Sequence, residues 1–479
     1  AGRGVLLPGR VSGEGVGWGV GFVVAAGWGD DSGAVDAAAT DAGSDAASVD
    51  AYFPPDTFLP EAFEATRPLV DHVDPLIGTG GLGFSVGSVS PAPQRPFGLA
   101  RPAPDTATEA GSPGFSHCAG YNHFDHLIQG FSQVRPHGMG IAEYGVIALM
   151  PTDGMDESKT NKVGYGNSFS HDDETVEVGY YDVTMADGIR VELTAGERVA
   201  RHRYTFPEGT DAHVLLDVGH FIGELDILDG EVTYDAERNE VRGHSTFAGG
   251  YSNRFGGMTV YFVARLEQTP TDAGVWSEGV LSDATTMRGT AAGAFFAFAE
   301  RSVEIAVGLS FSDVDHAAMN LEAASEHFDD LRRATRDAWE PVLARALITA
   351  RTEREHRLFY SALYRSLLMP TLASDVDGTY RGFDGALHSV HRDGLESFRY
   401  YTDHSLWDTF RTQGPLLSLL YPELQRDMVE SLMAMARDGG FVPRWPLGTG
   451  YTGGMAGDSA DIWFGDAYLK GVPFDVTEA

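Results

Sequence analysis

Near residue 312 the hydrophobic period of this chain changes, and the change divides it into two kinds of structure. Before it, apolar residues alternate in short runs rich in Val, Tyr, Phe and Thr, at 180–185, 189–194, 200–206, 213–218, 258–265 and 303–311. Turn signals such as Ala186-Asp187-Gly188 and Leu228-Asp229-Gly230 lie between them. A period of two, repeated at short spacing, predicts an antiparallel β-sandwich. After it, Met319, Leu321, Phe328, Leu331 and Trp339 recur at helical spacing among many charges, as in a helical linker. An amphipathic helix is predicted over 353–369, ended by Pro370. The stretch 405–420 puts Leu406, Phe410, Leu416, Leu417 and Leu420 on one side, and predicts a helix kinked at Gly414-Pro415. Pro422 opens the next helix, which carries Met428, Leu432 and Met435 and stops at Asp438-Gly439-Gly440. A further helix is predicted over 461–470.

With 479 residues the chain is too long for a single core. Its formal charge of −35 argues against nucleic acid and against anionic membrane surfaces, both of which need a basic face. An uncharged or cationic ligand suits it. Cys118 is the one cysteine, so no internal disulfide can form.

Arg3 and Arg10 precede an apolar run at 16–26 that is too short to span a bilayer. We read 1–28 as a signal-like segment, although Trp28 stands where a lipoprotein would need Cys. The Ala- and Asp-rich stretch 29–66 is too polar to bury a core and reads as a disordered tether. Export to the envelope, the periplasm or the medium of a bacterium is the expectation.

Several clusters could carry chemistry. Trp407 and Asp408 open a helix. An Asp there is favoured by the helix dipole alone, yet a Trp beside a carboxylate is also how proteins hold sugars. The glycine-rich run Gly78, Gly80, Gly81, Gly83 is not followed by a helix, which argues for a tight backbone loop over a phosphate cradle. His117 and Cys118, one apart, make a poor zinc pattern. Asp375 and Asp377 have the alternate spacing of a calcium loop but lack its later ligands, which favours a turn.

The segments SLWDTFR (405–411), GGFVPRWPL (439–447) and GDAYLKGV (465–472) resemble glycoside hydrolase family 92, the calcium-dependent exo-acting alpha-mannosidases. VDPLIGTGG (73–81), RPFGLARPAPDT (95–106), CAGY (118–121) with GFS (130–132), and SDVDGTYRG (374–382) agree in the family's order. The resemblance implies a multi-domain β + α architecture: a sandwich at 67–312, a helical linker at 313–350, and from 351 to 479 the first part of an incomplete (α/α)6 barrel. Roughly four of twelve barrel helices are visible, so the chain reads as an N-terminal portion of that family. The resemblance also implies an inverting hydrolase of terminal alpha-mannosides on glycans that uses Ca2+. Its TLEYAYDDW-like and DDxGxMSAW-like blocks, which hold the acid, the bases and most calcium ligands, do not occur here. No catalytic or metal residue is therefore assigned in this chain. The resemblance implies sugar-binding roles for Trp407, Asp408, Phe115 and Tyr121, with Arg444, Trp445 and Asp458 as second choices near the same rim. Phe115 stands where the family carries Trp, and Gln133, Arg135 and His137 replace its GFSHTHLSGTG pattern. A non-catalytic carbohydrate-binding protein is the alternative.

Overall fold

Among the described residues, alternation over the first half builds an antiparallel sheet of sixteen strands. The computed structural model describes residues 67–81, 87–108, 117–223, 225–324, 326–391 and 396–475. The signal-like and tether segments and Phe115 lie outside them. The eleven-residue strand Asn167–Glu177 is the corner of the sheet. Its first residues pair with strand Leu127–Val134, and its last with Tyr180–Met185. The sheet folds back across this corner into two facing layers. Tyr234 meets Phe296 across them at 5.1 Å between ring centroids, and Phe221 meets Phe247 at 5.2 Å. Tyr181, Tyr204 and Trp276 are fully buried. The strands predicted from alternation agree with Tyr180–Met185, Arg190–Ala195, Val199–Thr205, Ala212–Asp217, Met258–Leu266 and Ser302–Ser310.

Helices follow the last of these strands: α1 (Val314–Ala323), α2 (Phe328–Leu343), α3 (Glu353–Ser366), α4 (Leu406–Thr409), α5 (Gln413–Leu420), α6 (Pro422–Gly439) and α7 (Ser459–Leu469). Asp313 caps α1 by accepting the His316 N–H, and Thr352 caps α3 by accepting that of Glu355. Pro422 begins α6, and Gly440, at φ 82°, ends it. The single kinked helix expected at 405–420 is two helices, and the break at 410–412 precedes Gly414. Pro415 falls in the first turn of α5, where it costs no helical hydrogen bond. Gly414 serves a close approach: a Cβ there would lie 2.8 Å from the Trp463 ring.

Long polar side chains join the sandwich to the helices. Trp339, buried on α2, donates its indole N–H to the Gln94 carbonyl at 2.8 Å. Arg381 donates to the Phe311 carbonyl at 3.1 Å and to that of Ser312. Fully buried Arg101 donates to the carbonyls of Gly98 and Arg135 on the sandwich side, and to the Leu368 carbonyl and Thr371 hydroxyl on the helical side.

Inside the sandwich, His202 lies 2.9 Å from Gln133 Oε1 and 2.8 Å from the Tyr204 hydroxyl. The Gln133 amide donates to the Phe131 carbonyl, which leaves Oε1 to accept from imidazole. Burial lowers the His202 pKa to about 3, so the ring is neutral in the fold. In the unfolded chain it titrates near about 6.5. The depressed native value means that this stability is present above the unfolded pKa and is lost as pH falls towards the folded one. Thermal unfolding should therefore show a melting temperature that drops below about pH 6.5, with a shallower acid slope in His202→Gln; an unchanged slope would remove His202 as a source of acid sensitivity.

Candidate functional site

A cleft of about 280 Å3 opens between the sandwich and the helices. Val89 and the turn His137-Gly138-Met139 line one side. Arg365, Met369, Pro370, the run from Asp403 to Ser405, Asp408, Thr409, Gln413 and Trp445 line the other. On the sandwich side the Gly138 N–H donates to the Ser88 carbonyl at 2.7 Å, with Gly138 at φ 72°. His137 Nδ1 accepts the Ser90 N–H at 3.4 Å, and Nε2 faces Gln94 Oε1 at 3.0 Å. Burial, with Arg101, Arg365 and Arg135 nearby, holds the His137 pKa well below its usual value, so the ring is neutral.

The helical side carries two carboxylates in different environments. Asp403 sits at φ 64°, and its Oδ1 accepts the Tyr144 hydroxyl at 2.8 Å and the Gly448 N–H at 2.7 Å. Burial raises its pKa, while these donors and the Arg101 charge oppose the rise. Asp408 is exposed at the rim. The Trp445 indole N–H donates to the Ser405 hydroxyl, which donates in turn to Asp408 Oδ2. Asp408 Oδ1 has no hydrogen-bond partner among the described residues, so the relay fixes the carboxylate and leaves one oxygen to accept from a ligand. Trp445 is supported from behind by Tyr251, edge-on at 4.9 Å. Tyr251 and Ser252 are in turn pinned by their backbone N–H groups to Glu143 Oε1.

Between the two sides, Arg365 on α3 donates to the carbonyls of Ile77 and Ser90 at 3.1 Å and to that of Pro75. It thereby holds the glycine-rich loop, in which Gly78 and Gly81 take positive φ. Burial lowers its pKa to about 10. Gln413 bridges the Ser366 and Met369 carbonyls at 2.6 and 2.8 Å. Burial lowers the His404 pKa to about 4. The cleft is thus a small mixed surface: an indole, a neutral imidazole pair and an accepting carboxylate.

The expected site residues are not all brought together. Asp408 lines the cleft. Trp407 does not; it is 37% exposed, with the Arg411 guanidinium 5.0 Å from its ring centroid. Trp445 supplies the aromatic wall instead. Tyr121 is buried in the sandwich, where its hydroxyl donates to Glu174 at 2.9 Å. Arg444 is half-buried and Asp458 is exposed just before α7; neither lines the cleft. Of the three positions that depart from the family pattern, Gln133 and Arg135 are buried hydrogen-bonding hubs, and only His137 reaches the cleft. Asp375 accepts from Ser312 and Asn320, and Asp377 from Thr379, which is the turn expected. Sequence reasoning missed Arg365, His404, Ser405 and Gln413. The signal for His404 and Ser405 was their place immediately before Trp407-Asp408; nothing in the pattern pointed to Arg365 or Gln413.

Comparison with known proteins agrees with this architecture. The model of the glycosyl hydrolase family 92 N-terminal domain matches residues 72–310, and that of the family 92 catalytic domain matches 316–479. A family 92 alpha-mannosidase from Bacteroides thetaiotaomicron is 27% identical with a TM-score of 0.78, over 86% of this chain and 55% of its own. The same enzyme solved with mannoimidazole superposes equally well, at 26% identity over 86% and 54%. A family 92 inverting mannosidase from that organism is 28% identical with a TM-score of 0.76, over 87% and 55%. A protein of Arthroderma benhamiae described as a secreted glycosidase is 24% identical over 439 residues, covering 84% of this chain and 49% of the relative. The chain thus spans about half the length of these relatives. Two adjoining domain models and an antiparallel sheet followed by helices lead to one conclusion: the chain belongs to glycosyl hydrolase family 92.

Proposed function

We propose that the cleft binds the terminal sugar of an alpha-mannoside on a glycan, as the sugar-binding wall of an exo-acting alpha-mannosidase. The observation that carries this reading is the Trp445–Ser405–Asp408 relay, which aims an unpaired carboxylate oxygen past an indole. A pyranose offers hydroxyl donors along its edge and an apolar face, and this pairing answers both. The similarity to enzymes named alpha-mannosidases, one bound to mannoimidazole, supports mannose as that sugar.

An inverting hydrolase needs two carboxyl groups about 6.5–9.5 Å apart, one to protonate the leaving oxygen and one to activate water. Asp403 is buried and engaged by Tyr144, Gly448 and the Arg101 charge. Asp403 Oδ2 has no hydrogen-bond partner but is buried, which leaves Asp408 as the one exposed accepting carboxylate among the described cleft residues. Its role here is to orient hydroxyls; both proton transfers are assigned to groups other than these. Calcium, implied by the family resemblance, requires about 6–8 oxygen ligands. The groups of converging metal-binding side chains among the described residues each contain two histidines, so they do not fit it and no step runs through it. Work outside the cytoplasm is the setting proposed, in line with the secreted fungal relative. A single exposed carboxylate among the described cleft residues also favours a second reading, a carbohydrate-binding protein without turnover.

Two measurements test this. Asp408→Asn should weaken binding of methyl alpha-mannoside, followed by calorimetry, at least about tenfold, as loss of a charged acceptor does; unchanged affinity would take Asp408 out of the site. The 479-residue chain should release no mannose from an aryl alpha-mannoside, with or without added calcium. Measurable turnover would place an acid and a base within this chain and exclude the second reading.

A further inference from the structure

Away from the cleft, three metal-ligating side chains converge on the corner strand of the sandwich. His123, His171 and Glu174 each offer one ligand atom, and these atoms lie within 4.8 Å of one another. His171 and Glu174 are three apart on strand Asn167–Glu177, and a regular strand would send them to opposite faces. The register shifts between Phe169 and Glu174, and this irregularity turns both side chains to one side. His123 arrives from the loop after Tyr121, its ring 4.2 Å from that of His171 between centroids.

The surroundings are those of a built site. His171 Nε2 lies 3.0 Å from the Asp125 carbonyl, which fixes the tautomer and turns Nδ1 towards Glu174 at 2.9 Å. The Glu174 side chain is only 1% exposed. Its oxygens accept the hydroxyls of Tyr181 at 2.8 Å and Tyr121 at 2.9 Å. No Lys or Arg among the described residues forms an ion pair with it, so its charge has no permanent counter-charge. The comparable trio His72, Glu353 and His356 differs on this point: the Arg67 guanidinium contacts both Glu353 and His72 and would repel a cation.

We propose that His123, His171 and Glu174 form a binding site for a divalent transition-metal ion of the zinc class, with water in the fourth position. Two imidazoles and one carboxylate suit zinc and disfavour calcium, which prefers an all-oxygen shell. Partial exposure of His123 leaves room for the water and for the small closure that bonds of about 2.0–2.2 Å require. The ion ties the Tyr121 loop to the corner strand. That loop touches the glycine-rich segment: the His123 N–H donates to the Thr79 carbonyl at 3.0 Å, and a Cβ on Gly80 would lie 3.4 Å from His123 Cβ. Metal binding thereby stiffens the segment that Arg365 holds at the cleft.

The test uses the metal-free full chain. Competition with a chromophoric chelator should show one Zn2+ bound per chain, undisturbed by excess Ca2+. Co2+ should give the visible band of a four-coordinate site. His123→Gln, on the half-buried loop, should weaken Zn2+ at least about tenfold and remove the Co2+ band without changing the metal-free melting temperature. Glu174→Gln should weaken Zn2+ as well, and His72→Gln should leave it unchanged. Absence of saturable Zn2+ binding, unaltered affinity in His123→Gln, or loss of binding on His72→Gln would each overturn the assignment.

Discussion

The Arg101 guanidinium is fully buried and reaches both layers of the structure at once. Its donors meet the carbonyls of Gly98 and Arg135 in the sandwich, and the Leu368 carbonyl and Thr371 hydroxyl in the segment after α3. Desolvation lowers its pKa to about 10, and the charge of Asp403 partly compensates. Leaving one of these buried groups without its partner costs about 1–3 kcal/mol, and more where the charged guanidinium is the group stranded, because it has lost both water and partner. The contact therefore constrains how the two layers meet, and with that the width of the cleft. The neighbouring arginines work in the same way: Arg135 binds five backbone carbonyls within the sandwich, and Arg365 binds three from the glycine-rich side. In each case a long side chain from one segment satisfies carbonyls that an irregular loop cannot pair by itself.

That frame lets two aspartates five residues apart take separate duties. Asp403 is structural, saturated on one oxygen and buried beside a cation. Asp408 is at the rim, oriented by a hydroxyl and an indole and otherwise free. The difference arises from backbone conformation. Asp403 at φ 64° turns inward, and α4 then starts and carries Asp408 outward.

Much of the architecture was legible before any coordinates. The change of period near residue 312 marks the end of the last sheet strand at Ser310 and the start of α1 at Val314. Helix starts at Thr352 and Pro422 follow from local chemistry that tertiary packing does not override. The break between α4 and α5 was misplaced because Gly414-Pro415 reads as a kink in one dimension. In three dimensions the glycine makes room for Trp463, forty-nine residues on. The site was half legible. Asp408 could be singled out by its neighbour, but the ring at the cleft belongs to Trp445, a second choice in the sequence, which only folding brings to Ser405. Arg135 looked like altered site chemistry and proved to be an interior brace. The His171–Glu174 pair was invisible to pattern reading, because spacing of three on a strand signals opposite faces until a shifted register brings them together.

The relay from Trp445 through Ser405 has an evolutionary corollary. The orientation of one carboxylate is encoded in two stretches of chain some forty residues apart, so neither can drift alone without cost to the other. Recombination or module swapping that separates the SLWDTFR segment from the GGFVPRWPL segment would carry the recognisable motif but not its aim. Covariation between positions 405 and 445 across family members would be the trace such coupling leaves.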